Sequence, residues 1–280
     1  VYALAELGRL LMKQGSWTDA EAIVREAMER SRRSMGEEDS TTLRHIQRMG
    51  RLLELQGKVI DAEPYFRESL ETSRCALGEE HRCTMSYRES LIRLLHAQGR
   101  TEEAVLLRRD HYVIQRRTTR PWSIDRANVT AELCADLLRL HTLEAALEAE
   151  PMLRQLLAFR SKEEPEHWRT PNSQSLLGEA VCIVAELDPA LTPVARIDRL
   201  CEAESLLVES YVRLRNRPDV PPPADTDGFD RRRQAFERVA QLYELWERVE
   251  PGAGYATKAA EWRSQATLAK ADLPKSDNAN

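Results

Sequence analysis

Three arginines, Arg9, Arg51 and Arg93, recur at a constant spacing of 42 residues. A guanidinium is a planar fork of donors that grips a carboxylate through two parallel hydrogen bonds, so a fold that aligned the three would make a ladder for acidic ligands. Six of the 41 bases are Lys, which leaves 35 Arg in 280 residues, and a solvated face with Glu neighbours accounts for the same recurrence. Both readings stand on the sequence alone. Other chemistry has less support. His45, His81, His96, His111, His141 and His167 are scattered, and no nucleophile, base and orienting acid form a recognisable arrangement. Cys75, His81 and Cys83 lie close together, but zinc asks for four ligands at tighter spacings, so buried or incidental thiols are expected. No metal and no cofactor is expected. Trp168, Trp246 and Trp262 could serve as aromatic platforms, although helix packing is the commoner use of such rings. Arg231-Arg232-Arg233 opens a helix against its dipole, as an anion contact or a fraying start would.

Composition narrows what can position these groups. Only 11 Gly and 13 Pro punctuate a chain that is 42% hydrophobic and rich in Leu, Ala, Glu and Arg, which favours helices over a many-stranded sheet. A net charge of −5 gives no sequence-wide basic field, so nucleic acid is not the expected partner. No stretch approaches the roughly 18 to 20 apolar residues of a membrane helix; even Ser175 to Leu187 contains Glu179 and Glu186. No membrane contact is expected. Five Cys without a CxxC pair suit a reducing cytoplasm better than a disulfide framework. Val1 falls inside an already periodic pattern and no initiator Met precedes it, so the sequence reads as part of a longer protein.

The 42-residue period extends well beyond arginine. Gln14-Gly15, Gln56-Gly57 and Gln98-Gly99 fall in one register, as do Leu7, Met49 and Leu91, then Leu10, Leu52 and Leu94, then Ala20, Ala62 and Ala104. Each unit reads as two helices. Leu43, Ile46, Met49, Leu52 and Leu53 form one apolar stripe that Gly57 terminates, and Ala62, Tyr65, Phe66, Ser69 and Leu70 form the next. Pro64 is expected in an opening turn, where a missing N–H is harmless, and Ser16 and Thr101 are expected as N-terminal caps. Small Gly8 and Gly50 mark close helix approach. A lone hairpin cannot bury its apolar face, so neighbours must stack.

Beyond Thr118 the period loosens. Ala149-Glu150-Pro151 repeats Ala62-Glu63-Pro64, and Ala203-Glu204-Ser205 repeats it again after a twelve-residue surplus, expected as a loop over Glu186 to Asp198. The expected organisation is three regular repeats over 1–118, looser repeats over 119–216, a Pro-rich linker at 217–230, a capping helix pair over 231–270 and a frayed tail at 271–280. The fold class is all-α: a right-handed superhelical solenoid of about six helical hairpins.

These residues carry two resemblances. The Gln-Gly turn, Asp61-Ala62-Glu63-Pro64-Tyr65, Ser69-Leu70 and Leu77-Gly78-Glu79-Glu80-His81 followed by Thr84 resemble the 42-residue tetratricopeptide repeats of kinesin light chains, over roughly 1–118. The second half is similar to the tetratricopeptide region that follows the catalytic domain in many bacterial serine/threonine kinases. That likeness rests on Ala149-Glu150-Pro151-Met152-Leu153, Trp168-Arg169-Thr170 and Ala203-Glu204-Ser205-Leu206-Leu207, with Lys258-Ala259-Ala260-Glu261-Trp262-Arg263. It brings no kinase into this chain, which has no Gly-rich loop, no Asp-Phe-Gly, and His81-Arg82-Cys83 where a catalytic loop would need Asp. No enzyme activity is expected of it.

What the first resemblance implies is a binding groove on the concave face, built from the first helix of each hairpin. Laid on this register, it would show Tyr2, Ala5, Arg9, Met12 and Lys13, then Arg44, Gln47, Arg51, Glu54 and Leu55, then Ser86, Glu89, Arg93, His96 and Ala97. Arg9, Lys13, Arg44, Gln47, Arg51, Glu89, Arg93 and His96 are the candidate site residues. The implied partner is a protein or peptide, acidic or ending in a carboxylate, or else a kinase domain in the same polypeptide. Where kinesin light chains carry an Asn pair, this chain has Ala5-Glu6, Gln47-Arg48 and Glu89-Ser90, so motor association is not carried over.

Overall fold

The computed structural model describes residues 2–120, 123–215, 217, 219–220 and 231–271, with side chains as far as 264. The described residues form helices joined by short turns. The helices are α1 (Tyr2–Lys13), α2 (Trp17–Met35), α3 (Ser40–Leu55), α4 (Val59–Leu77), α5 (Arg82–Ala97), α6 (Thr101–Thr118), α7 (Ile124–Leu138), α8 (Leu143–Glu163), α9 (Arg169–Leu187), α10 (Pro193–Arg215), α11 (Arg231–Val249) and α12 (Tyr255–Ala271). They divide into two units, with the division inside α7 between Val129 and Thr130. None is long and apolar enough to cross a membrane.

In the first unit α1 pairs with α2, α3 with α4 and α5 with α6, and α2 and α4 also pack on the next hairpin. Most of the apolar residues that recur in sequence fill its core, although Leu7 and Leu10 of α1 are exposed. Leu43, Ile46, Met49, Leu52, Phe66, Ile92, Leu94 and Leu95 are fully buried, with Ala20, Ala62 and Ala104 at the close approaches. Gly50 is one such approach: a Cβ there would stand 3.1 Å from the Phe66 ring.

The first helices end alike. Gly15, Gly57 and Gly99 adopt φ of 75°, 76° and 74°, a region that L side chains avoid. The turn then closes by paired bonds, Gly57 N–H to the Glu54 carbonyl at 2.9 Å and Lys58 N–H to the Leu53 carbonyl at 2.9 Å, repeated at Gly99 and Arg100. The glutamines before Gly57 and Gly99 do something the sequence did not disclose. Gln56 Nε2 donates to Glu21 at 3.0 Å and Gln98 Nε2 to Glu63 at 2.9 Å, so the turns after α3 and α5 clasp the preceding hairpin.

Helix starts differ from the sequence expectation. Ser16 precedes α2 without a side-chain cap, and Thr101 is already the first residue of α6. The capping side chains are Asp39, which accepts from Thr41 N–H, and His81 at the same register, whose Nδ1 accepts from Cys83 N–H at 3.2 Å. Pro64 also lies deeper than expected, because α4 begins at Val59. The carbonyl it deprives of a partner belongs to Ile60, which is exposed. Pro151 in α8 repeats the arrangement with exposed Leu147.

In the second unit the Cys134 thiol points at the Ala149 carbonyl, joining α7 to α8, and α8–α9, α9–α10, α10–α11 and α11–α12 pack in turn. The twelve-residue surplus is not a loop over Glu186 to Asp198. Helix α9 runs to Leu187 and α10 starts at Pro193, so most of the extra length is helix. Side chains finish these helices where glycine does in the first unit. Arg196 of α10 donates to the carbonyls of Ala185, Glu186 (3.0 Å) and Asp188 (2.9 Å), and the turn after α7 closes at His141, at φ 49°.

The α8–α9 connection is held in the same way. Buried Arg160 donates to the Arg169 carbonyl at 3.0 Å and to Ser173 Oγ at 2.6 Å, and Arg213 donates to the Pro165 carbonyl at 2.7 Å. The tryptophans pack. Trp168 is covered by Arg169 and Arg231, at 5.2 and 4.6 Å from its ring, Trp246 stacks on Tyr255 at 4.5 Å, and Trp262 meets Tyr211 and Phe236 edge-on. Of the basic triplet, Arg232 donates to the Arg217 carbonyl and Arg233 pairs with Glu237. Most of the linker expected at 217–230, and nearly all of the tail expected at 271–280, lie outside the described residues.

Candidate functional site

Because α1, α3 and α5 occupy equivalent places in successive hairpins, the 42-residue register sets their side chains side by side. Between them opens a groove of about 510 Å³. Helix α1 supplies Arg9, Met12 and Lys13; α3 supplies Arg44, Gln47, Arg48, Arg51 and Leu55; α5 supplies Ser90 and Arg93. Six of these side chains are cationic and none is acidic. The structure thus brings Arg9, Lys13, Arg44, Gln47, Arg51 and Arg93 into one concavity.

The other two candidates lie elsewhere. Glu89 turns toward α6, where its carboxylate accepts from Arg108 Nη1 at 2.5 and 2.6 Å and meets His111 Nδ1 at 2.5 Å. Burial pushes that carboxyl up, but the hydrogen bond from His111 and the charge of Arg108 outweigh it and hold the group ionised. His96 is partly buried on α5 and does not line the groove. Arg48 does line it, four residues after Arg44 and three before Arg51, on the same face of α3. That helical spacing was the signal available for finding it.

The arginines are not equally available. Glu54, its side chain only 8% exposed, accepts from Arg51 Nη1 at 2.9 Å and from Arg93 Nε and Nη2, each at 3.1 Å. Burial raises the Glu54 carboxyl, yet hydrogen bonds from Arg93 and Arg51 bring it below its ordinary value. One carboxylate of the chain itself therefore bridges two rungs of the ladder, with the two-toothed grip on Arg93 that the residue type allows. Arg9 pairs with exposed Glu6, and Arg48 Nη1 donates to the Ala5 carbonyl at 2.8 Å. Lys13 and Arg44 are exposed and, among the described residues, make no hydrogen bond or ion pair. Gln47 Oε1 accepts the Ser69 hydroxyl at 2.9 Å, which turns the rest of its amide to donation. Chemically the groove can hold anions; it presents no nucleophile beside a base.

Comparison with known proteins accords with this geometry. Residues 1–74 match the family model of the tetratricopeptide repeat. A crystal structure of the nearly identical TPR-like repeats of a Podosopora anserina protein designated a kinesin light chain is 21% identical, with a TM-score of 0.59, over 76% of this chain and 93% of that one. BtubC (BKLC) from P. vanneervenii is 15% identical, with a TM-score of 0.53, over 94% of this chain and 96% of that one. No curated protein matches the chain. Residues 1–74 are thus similar to the tetratricopeptide repeat, and the helical hairpins share the fold of these kinesin-light-chain-like repeats.

Proposed function

We propose that this chain is a non-catalytic protein-interaction scaffold whose first-helix groove takes an extended acidic segment of a partner. Tetratricopeptide arrays generally serve to bind proteins or peptides, which supports the general reading. One observation carries the specific one: six cationic side chains and no acid line a single concavity. A charged lining of this kind attracts and orients an anionic partner, and its grip weakens with salt. Apolar Met12 and Leu55 supply contact area between the charges.

The test is titration of the labelled protein with end-blocked peptides of equal length, Glu-rich, Lys-rich and uncharged, at two salt concentrations. Only the Glu-rich peptide is expected to bind, with affinity falling as salt rises. Equal binding of all three, or none by the acidic one, overturns the reading. The alternative, a substrate-recruiting or regulatory tail of a serine/threonine kinase, rests on the short motifs of the second half. It is decided by the residues encoded before Val1.

A further inference from the structure

The groove looks like a continuous cationic strip, but its charges are already divided. Arg51 and Arg93 share the Glu54 carboxylate, Arg9 is paired with Glu6, and Arg48 is committed to a backbone carbonyl. Lys13 and Arg44 remain, and they stand at opposite ends. Lys13 is at the register of Leu55 on the neighbouring helix, and Arg44 precedes Leu55 by eleven residues on α3.

Eleven residues of helix span about 16 Å along the axis. With neighbouring helices about 9 Å apart, the two positions are separated by about 19 Å. An extended peptide covers that distance in about five or six residues. Between the two ends lie neutral Met12 and Gln47 together with Arg9, Arg48 and Arg51, whose partners within the chain are already given.

We propose that the groove selects an extended segment with two acidic residues five to six positions apart, one seated at Lys13 and the other at Arg44, and that Glu54 keeps contiguous acids off the arginine ladder. This rests on the groove reading above and refines it by naming the spacing of the ligand's charges. Glu54 acts here as a specificity residue: it fills the place that a third ligand carboxylate would take.

The probe is a set of end-blocked Ser/Ala/Gly peptides, each with two Glu, placed adjacent, five apart or eleven apart. They are titrated at low ionic strength and followed by protein chemical shifts, which report even millimolar affinity. The five-apart peptide is expected to bind at least about fivefold more tightly than the other two. The double variant Lys13→Ala/Arg44→Ala is expected to lose that preference, whereas Arg30→Ala/Lys162→Ala, which removes two exposed cations outside the groove, leaves it within about twofold. Glu54→Gln, which frees two guanidiniums, is expected to tighten the adjacent-Glu peptide several-fold; circular dichroism checks that each variant retains its helicity. Equal affinity for all three spacings, or a Lys13→Ala/Arg44→Ala variant that keeps the preference, overturns the spacing proposal and leaves the acidic groove standing. If no acidic peptide shifts a groove residue, the groove reading and this refinement fall together.

Discussion

The two units end their helices by different means. In the first, α1, α3 and α5 all stop at a glycine with φ near 75°, and at the α3 and α5 turns a glutamine reaches the preceding hairpin. In the second, the turn after α7 closes at His141, at φ 49°, and α9 ends at carbonyls covered by Arg196 from the following helix. Both solutions satisfy the last carbonyls of a helix, which must find donors or water. Only the first is local in sequence and identical at every turn, so only there does a helix terminus leave a periodic trace. The looseness of the period after Thr118 is thus a change in capping and jointing chemistry, with hairpin packing retained.

Removing the long-range cap should have the largest effect. Arg196→Ala uncovers three carbonyls at the end of α9 and is expected to lower stability by about 2–3 kcal/mol in urea unfolding, since hydrogen bonds to a charged group are individually strong. A loss below about 0.5 kcal/mol would show that water serves α9 equally well. Glycine and histidine should answer in opposite directions. Gly57→Ala places a Cβ at φ 76° and is expected to cost about 1–2 kcal/mol. His141→Gly relieves φ 49° and is expected to gain up to about 1 kcal/mol, less the added freedom of the unfolded chain. Equal signs for the two would deny that one backbone conformation does the same work in both units.

The smallest effect is visible only in acid. Partial burial raises the Glu63 carboxyl, but hydrogen bonds from Arg100, Gln98 and Arg67 more than offset it and bring its pKa to about 2. A carboxylate depressed by folding stabilises the protein fully above its unfolded value of 4.5, and that contribution fades as pH falls from there toward 2. Glu63→Gln should therefore remove up to about one proton from the uptake on acid unfolding, measured as a shallower slope of stability against pH. An unchanged slope would mean that the clasp of Gln98 and Arg100 on Glu63 does not contribute to folding.

Much of this architecture was legible because stacking repeats the same contact. Leu52 and Leu94, or Ala62 and Ala104, are buried in the same way one period apart, so their identities betray the hairpins directly. The groove was legible for the same reason: Arg9, Arg51 and Arg93 share a register and a face. What sequence could not give were choices between partners equally near along the chain. Glu89 lies on the groove side of α5 by register, yet Arg108 and His111 of the next helix draw it inward. Ser16 does not cap α2 because capping depends on the backbone bend before the helix: at φ −80°, ψ 67° it makes no side-chain cap bond, whereas Asp39 and His81, with extended backbone, cap α3 and α5. Most of the extra length is helix, and Arg196 finishes α9 from the following helix, a bond no local pattern announces.

Glu54 gives the groove one more property. A carboxylate fixed on the same polypeptide competes at an effective concentration on the order of millimolar or higher. Small free acids, at lower levels and with a single charged end, are outcompeted at Arg51 and Arg93 before any partner arrives. The tethered anion acts as a standing filter that leaves the surface to ligands able to engage both of its ends at once.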